Sequence, residues 1–220
     1  MQKFCNFILN KRMVKYKLKI NENFMEKYME KIKKEIEKYI PFNEQEEKDK
    51  ELILKIIRNE KDILTRENKK CHLTVSAWII SPDKKKVLMC YHNLYNSWAW
   101  LGGHVDGDSD LKRVVLKEIK EESGITDIKF LSKDIFSLEI LTVNGHIKKR
   151  EYVSSHLHLN FTFLLEADTN LKLLIKPDEN SDLNWIDVED ISVKSTEKWF
   201  VDNIYSKLIE KVKKMFTPAE

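Results

Sequence analysis

The stretch from Gly102 to Ile125, GGHVDGDSDLKRVVLKEIKEESGI, constrains this chain more than any other. It reads as a double-glycine turn, an acidic loop and a helix from about Asp110 to Ser123 that Gly124 stops. On that helix Glu118, Glu121 and Glu122 stand at i, i+3 and i+4, which places them on neighbouring turns of one face. Three like charges so close repel one another, and the arrangement makes physical sense mainly when a divalent cation sits between them. A solvated helix face is the bland alternative for any run of glutamates. Here Lys112, Arg113, Lys117 and Lys120 occupy the far side, while the acids border an apolar stripe of Leu111, Val115 and Ile119. That placement directs the carboxylates along the protein surface, toward a neighbouring cleft.

These residues resemble the Nudix box, G-x5-E-x7-R-E-U-x-E-E-x-G-U, where U is a bulky aliphatic residue. Gly103, Glu118, Ile119, Glu121, Glu122, Gly124 and Ile125 fall on its positions. Ser109 stands where the first glutamate belongs and Lys117 where the arginine belongs. By resemblance that arginine braces the metal-binding glutamates; a lysine keeps the charge but loses the planar, bidentate fork. Asp108 or Asp110, flanking Ser109, could supply the missing carboxylate.

The resemblance implies an α/β/α sandwich with a mixed sheet and a divalent-metal-dependent hydrolase. Its substrate would be a diphosphate bond in a small metabolite, a nucleoside diphosphate linked to another moiety. Mg²⁺ or Mn²⁺ would be held by Glu118, Glu121, Glu122 and the backbone carbonyl of Gly103, with Lys117 as the brace; hard cations want such oxygen ligands. Gly102 is read as a turn glycine only. Glu118 is one candidate base. Other family members take the base from a later loop, and Glu179, in KPDENSD just before the strand Leu183 to Ile186, is the best such candidate here. Two rivals remain. One is a binding or regulatory module whose Ser109 and Lys117 have weakened catalysis; the other is the isomerase branch, which acts on an isoprenoid diphosphate and needs a cysteine, for which Cys90 is the candidate.

His156 and His158 lie at i and i+2 with Asn160, on one face of a strand, where they could line a pocket that binds phosphate or a base. His104, next to the glycines, could contact the phosphate, whereas His72, His92 and His146 are read as structural. Trp98 and Trp100 flank Ala99 and share a face, so Trp100 could stack on a substrate ring or simply fill the core.

The net charge of +3 arises from 39 basic against 36 acidic residues, which disfavours nucleic acid and favours small anions. Cys5, Cys71 and Cys90 lack CxxC spacing, as suits buried thiols in a reducing cytoplasm. No apolar run approaches the ~20 residues of a membrane span, and the N-terminal apolar patch is too short for a signal peptide. The expectation is therefore a cytoplasmic protein without a membrane partner.

Residues 1–68 are expected to form an N-terminal helical extension and residues 69–220 the Nudix domain. Met25, Tyr28, Ile32, Ile36 and Tyr39 give a helical stripe over Phe24 to Ile40, stopped by Pro41. Asn43 and Glu46 then form a capping box for a second helix, completing a hairpin. That hairpin could cap the cleft, form a homodimer contact or complete the core. Strands follow over Leu73 to Ile79, Val87 to Tyr91, Trp98 to Trp100, Ile128 to Leu131, Ile135 to Val143 and His156 to Leu165. Asn144-Gly145 reads as a hairpin turn, and one helix is expected from Glu197 to Met215.

Overall fold

The computed structural model describes residues 29–148 and 150–217. The chain divides into two compact units between Lys38 and Tyr39. In the first, residues 29–38 are helical (α1); Phe24, Met25 and Tyr28 of the expected stripe lie outside the described residues. The helix stops before Tyr39, in keeping with the steric bar that Pro41 places on a helical Ile40.

The second unit opens with α2 (Glu44–Asn59), whose N-cap Asn43 accepts the Glu46 N–H at 3.0 Å. The reciprocal half of the capping box does not form. Instead the Glu46 carboxylate accepts from the Phe42 N–H at 2.7 Å and from Lys211 at 2.9 Å. Through this helix the unit covers β6 (Ser137–Val143).

Eight strands make one mixed sheet: β1 (Cys71–Ile80), β2 (Lys86–His92), β3 (Ser97–Ala99), β4 (Leu101–His104), β5 (Lys129–Phe130), β6, β9 (His156–Glu166) and β10 (Asn180–Asp187). The remaining two, β7 (His146–Lys148) and β8 (Glu151–Val153), form a separate hairpin. The order is β10-β2-β1-β9-β5, with β3 on β2, β4 on β1 and β6 on β9. Only β1 and β9 run parallel, in register from Cys71 opposite Leu157 to Ile80 opposite Glu166. Asn144-Gly145 is not a hairpin turn, because β6 takes β9 as its partner and β7 takes β8, across Arg150 at φ 70°.

β1 and β2 meet at Ile80 and Val87 and then splay apart. The extended segment Ser97–His104 fills the opening, with Ala99 opposite Cys90 of β2 and Leu101 opposite Ala77 of β1. Trp100, at the change of partner, belongs to neither ladder. The single strand expected around Trp98 to Trp100 is thus two short ones.

Alternation then sets the layers. Val75, paired with Gly103, faces α3 (Leu111–Ser123), which buries Leu111, Val114, Val115 and Ile119. This helix is capped by Asp110 and ended by Gly124 at φ 75°, a left-handed conformation that favours glycine. On the opposite face Trp78 stacks on Tyr205 at 5.5 Å, beside Ile204, Leu208 and Val212. After a short α4 (Ile191–Lys194), the helix expected from Glu197 to Met215 is broken into α5 (Lys198–Phe200), a π-helical turn (Val201–Tyr205) and α6 (Ser206–Phe216). The wider turn brings Phe200 and Tyr205, five residues apart, onto one side, where their rings stand 6.2 and 5.7 Å from Trp100. Among the described residues no helix is long and apolar enough to cross a membrane.

Candidate active site

The two glycines of β4 seat two carboxylates. A Cβ on Gly103 would lie 2.4 Å from Glu118 Oε2, so the missing side chain is the space the carboxylate occupies. Gly102 does more than turn the chain: its N–H donates to Glu122 Oε2 at 2.9 Å, and a Cβ there would lie 2.2 Å from the Val75 carbonyl oxygen. Gly103→Ala is therefore expected to push Glu118 out of its seat. Turnover should fall about 100-fold, the cost of misplacing a reacting group by about 1 Å, while the melting temperature changes little. Steady-state kinetics and a thermal melt on the variant check both.

Burial raises the Glu118 carboxyl above its ordinary range, against the pull of Lys117. Glu122, 3 % exposed, is pushed up to about 8 by burial; the Gly102 N–H opposes this and Glu118 and Glu179 add to it. Lys117 Nζ stands 3.4 Å from Glu118 Oε1 and 3.5 Å from Glu121 Oε1. It lies between the two carboxylates. Lys176, which the sequence does not single out, stands 2.9 Å from Glu179 Oε2 and 3.6 Å from Glu121 Oε2.

The loop carrying Lys176 and Glu179 is pinned to the end of α3. Leu174 N–H donates to the Ser123 carbonyl at 2.9 Å, and Asn180 Nδ2 to the Glu122 carbonyl at 3.1 Å. Glu118, Glu121 and Glu179 are thereby linked through two ammonium groups, while Glu122 is held by the Gly102 N–H. Such a donor set fits a hard dication: oxygen ligands, a seat shaped by absent side chains, and buried negative charge calling for compensation.

The two acids that flank Ser109 both engage Arg113. Asp108 is held by both arms of the Arg113 guanidinium at 2.6 and 2.8 Å, and Asp110 accepts the Arg113 N–H as the helix cap. Cys90 is buried, its thiol pushed up by burial and turned toward the Trp100 carbonyl at 3.8 Å.

His104 follows Gly103 and so turns to the opposite face of β4. There its ring stands 5.0 Å from His72 and 4.9 Å from His158, and His156 lies 4.8 Å from His72. The pair His156 and His158 is thus joined by His104 and by His72, a residue read as structural. Burial holds His104 down at about 3 and His158 at about 2, with their neighbouring imidazoles adding to the effect. Asn160 turns instead to Thr74 and Ser76, whose hydroxyls donate to its Oδ1 at 3.0 and 2.9 Å. Trp98 and Trp100 both pack against the apolar cluster under the C-terminal helices.

The family model described as the NUDIX domain matches residues 70–208, more than half of the chain. No curated protein matches it. Among solved structures, the MutT protein from Methanosarcina mazei Go1 is 20 % identical with a TM-score of 0.51, over 66 % of this chain and 98 % of that one. A C. elegans Ap4A hydrolase in a binary complex is 18 % identical with a TM-score of 0.48, over 65 % of this chain and 96 % of that one. The NUDIX domain of Shewanella oneidensis NrtR, complexed with ADP ribose, is 21 % identical with a TM-score of 0.44, over 74 % and 97 %. At 20 % identity the likeness to the Methanosarcina mazei protein is one of fold.

Proposed function

The chain belongs to the NUDIX family, and from that premise we propose that it hydrolyses a diphosphate bond in a nucleoside diphosphate derivative with the help of a divalent cation. The observation that carries this reading is the pair of buried carboxylates, Glu118 and Glu122, seated at Gly103 and Gly102 and ringed by Glu121, Glu179 and two lysines. Glu118, Glu121, Glu122 and the Gly103 carbonyl would hold Mg²⁺ or Mn²⁺, which when bound neutralises phosphate oxygens and so opens phosphorus to attack.

The chain's own groups divide the remaining work. Lys117 keeps Glu118 and Glu121 from splaying and opposes the burial that raises the Glu118 carboxyl. Lys176 ties Glu121 to Glu179 and so sets the distance between the helix and the loop. Glu179, on that separate loop, takes the proton of the attacking water, leaving the helix carboxylates to bind; Glu118, raised by burial, is the second candidate for this step.

A panel of nucleotide sugars, dinucleotides, nucleoside triphosphates and capped RNA, incubated with Mg²⁺ and with Mn²⁺, tests the reading. Turnover is expected for compounds with a nucleoside diphosphate linked to a second group, and only when the cation is present. Cation binding without turnover of any compound would instead mark a binding module.

A further inference from the structure

The imidazoles on the far face of the sheet have no part in the proton transfer just described. His72 and His158 are direct partners in the parallel register of β1 and β9, and His156 lies two residues earlier on the same face. His72 Nδ1 faces the Asn68 carbonyl at 3.2 Å, and His156 Nδ1 faces the Ser154 carbonyl at 2.8 Å. A ring nitrogen facing a carbonyl carries the proton, which leaves Nε2 of each ring with a lone pair. Carbonyls placed behind imidazoles in this way fix the tautomer and aim the other nitrogen, as they do behind metal-bound histidines.

Of the three remaining ring nitrogens, one has no hydrogen-bond partner and the other two meet each other. His72, 5 % exposed, has its Nε2 buried with no hydrogen bond; leaving such a group unmet costs about 1–3 kcal/mol. His156 Nε2 and His158 Nε2 stand 3.2 Å apart. Since the first bears a lone pair, a proton or a cation has to lie between them. The ligand nitrogens of His72, His156 and His158 all fall within 4.8 Å of one another, forming a cluster of metal-ligating side chains among the described residues.

We propose that His72, His156 and His158 bind a transition-metal dication of the zinc class, at a site separate from the carboxylates of α3. Imidazole nitrogens select zinc, cobalt or nickel over the hard cations that oxygen ligands take. Two nitrogens bound tetrahedrally at about 2.0–2.1 Å stand about 3.4 Å apart, close to the 3.2 Å of the His156 and His158 pair. The gap to His72, within 4.8 Å, is the widest and would narrow on binding. His104 shuts the remaining side, and β4 separates the cation from Glu118, which lies across the strand at Gly103. The coordination would clamp β1 to β9 at their N-terminal ends. The site stands whether or not the protein is a hydrolase.

The experiment uses the full chain, Co²⁺ and Zn²⁺, and excess Mg²⁺ to fill the carboxylates. One equivalent of Co²⁺ is expected to give tetrahedral visible bands, and X-ray absorption on the zinc form to show an imidazole shell at about 2.0–2.1 Å. Both signals should persist in Glu121→Gln. His156→Gln and His158→Gln should each weaken Zn²⁺ binding by about 100-fold or more, at or beyond the upper end of what loss of an outer-shell partner costs. An all-oxygen shell in the wild-type protein, or Zn²⁺ affinity unchanged in both histidine variants, overturns the proposal without touching the hydrolase reading.

Discussion

Glu122→Gln is expected to lower turnover by about two to three orders of magnitude and, at the same time, to make the metal-free protein more stable. The loss of rate follows from removing a charged ligand at a preorganised electrostatic site, worth roughly 2.7–4 kcal/mol. The gain in stability follows from linkage. With the Glu122 carboxyl raised from 4.5 to about 8 by burial, the folded protein holds a proton between those values that the unfolded chain has released. Stability therefore falls as pH rises through that window. The glutamine has no such proton to lose, and its carbonyl still accepts from Gly102. At pH 8 the chelated variant should be more stable by about 2–4 kcal/mol, converging with wild type near pH 5. Saturating Mg²⁺ should narrow the gap, since the wild type gains more of the binding free energy, about 2.7 kcal/mol at 100 times Kd. Denaturant melts across pH, with chelator and with Mg²⁺, check each part. A wild type no less stable than the variant at pH 8 in chelator would sink the argument.

Lys207→Met is expected to cause the largest loss of stability. Lys207 Nζ lies 3.2 Å from Glu46 Oε1 and 3.1 Å from Glu139 Oε1, and all three side chains are almost wholly buried. Burial pulls the Glu46 carboxyl up, but Lys207 and Lys211 outweigh it and hold it below its usual value. Removing Lys207 leaves Glu46 with Lys211 at 2.9 Å and takes from Glu139 its buried cation. Breaking such a pair costs about 3–5 kcal/mol, a fall of roughly 10 °C for a chain of this size. Because Lys207 lies far from the glycine seats, catalytic rates below the melt should hold. The double variant Lys207→Met, Glu139→Gln should recover much of the loss, whereas a double variant as unstable as the single would show that lost packing, not stranded charge, is the cause.

What the sequence discloses here depends on how local the cause is. The apolar stripe of α3 and the stop at Gly124 are encoded within a few turns, so the helix and the ring of carboxylates follow directly. Glu179 stands out in the sequence as an acid in a polar loop ahead of a strand, while its link to Glu121 through a shared lysine appears only in the fold. Lys176 does not stand out, since its role depends on how that loop folds back onto Ser123. His72 escapes for a related reason: only the parallel pairing of β1 with β9, distant in the chain, brings it beside His158. Glu46 reads as a capping residue until Lys207 and Lys211 arrive from the far end of the chain to claim it. The π-helical turn answers to the aromatic rings around Trp100, and nothing in the periodicity of its own segment announces it.

The change of partner at Trp100 makes the length of one short segment as restrictive as its composition. Ala99 is fixed by Cys90 and Leu101 by Ala77, so each side of Trp100 is anchored to a different strand. Deleting one residue between those anchors would shift β4 by one place against β1 and turn every side chain to the other face. His104 would then swing toward α3 and the gap at Gly103 would open on the wrong side, with no ligand lost from the sequence. Homologous chains that vary freely in the loop before Ser97 should therefore keep the count of residues from Ala99 to Gly103 without insertion or deletion.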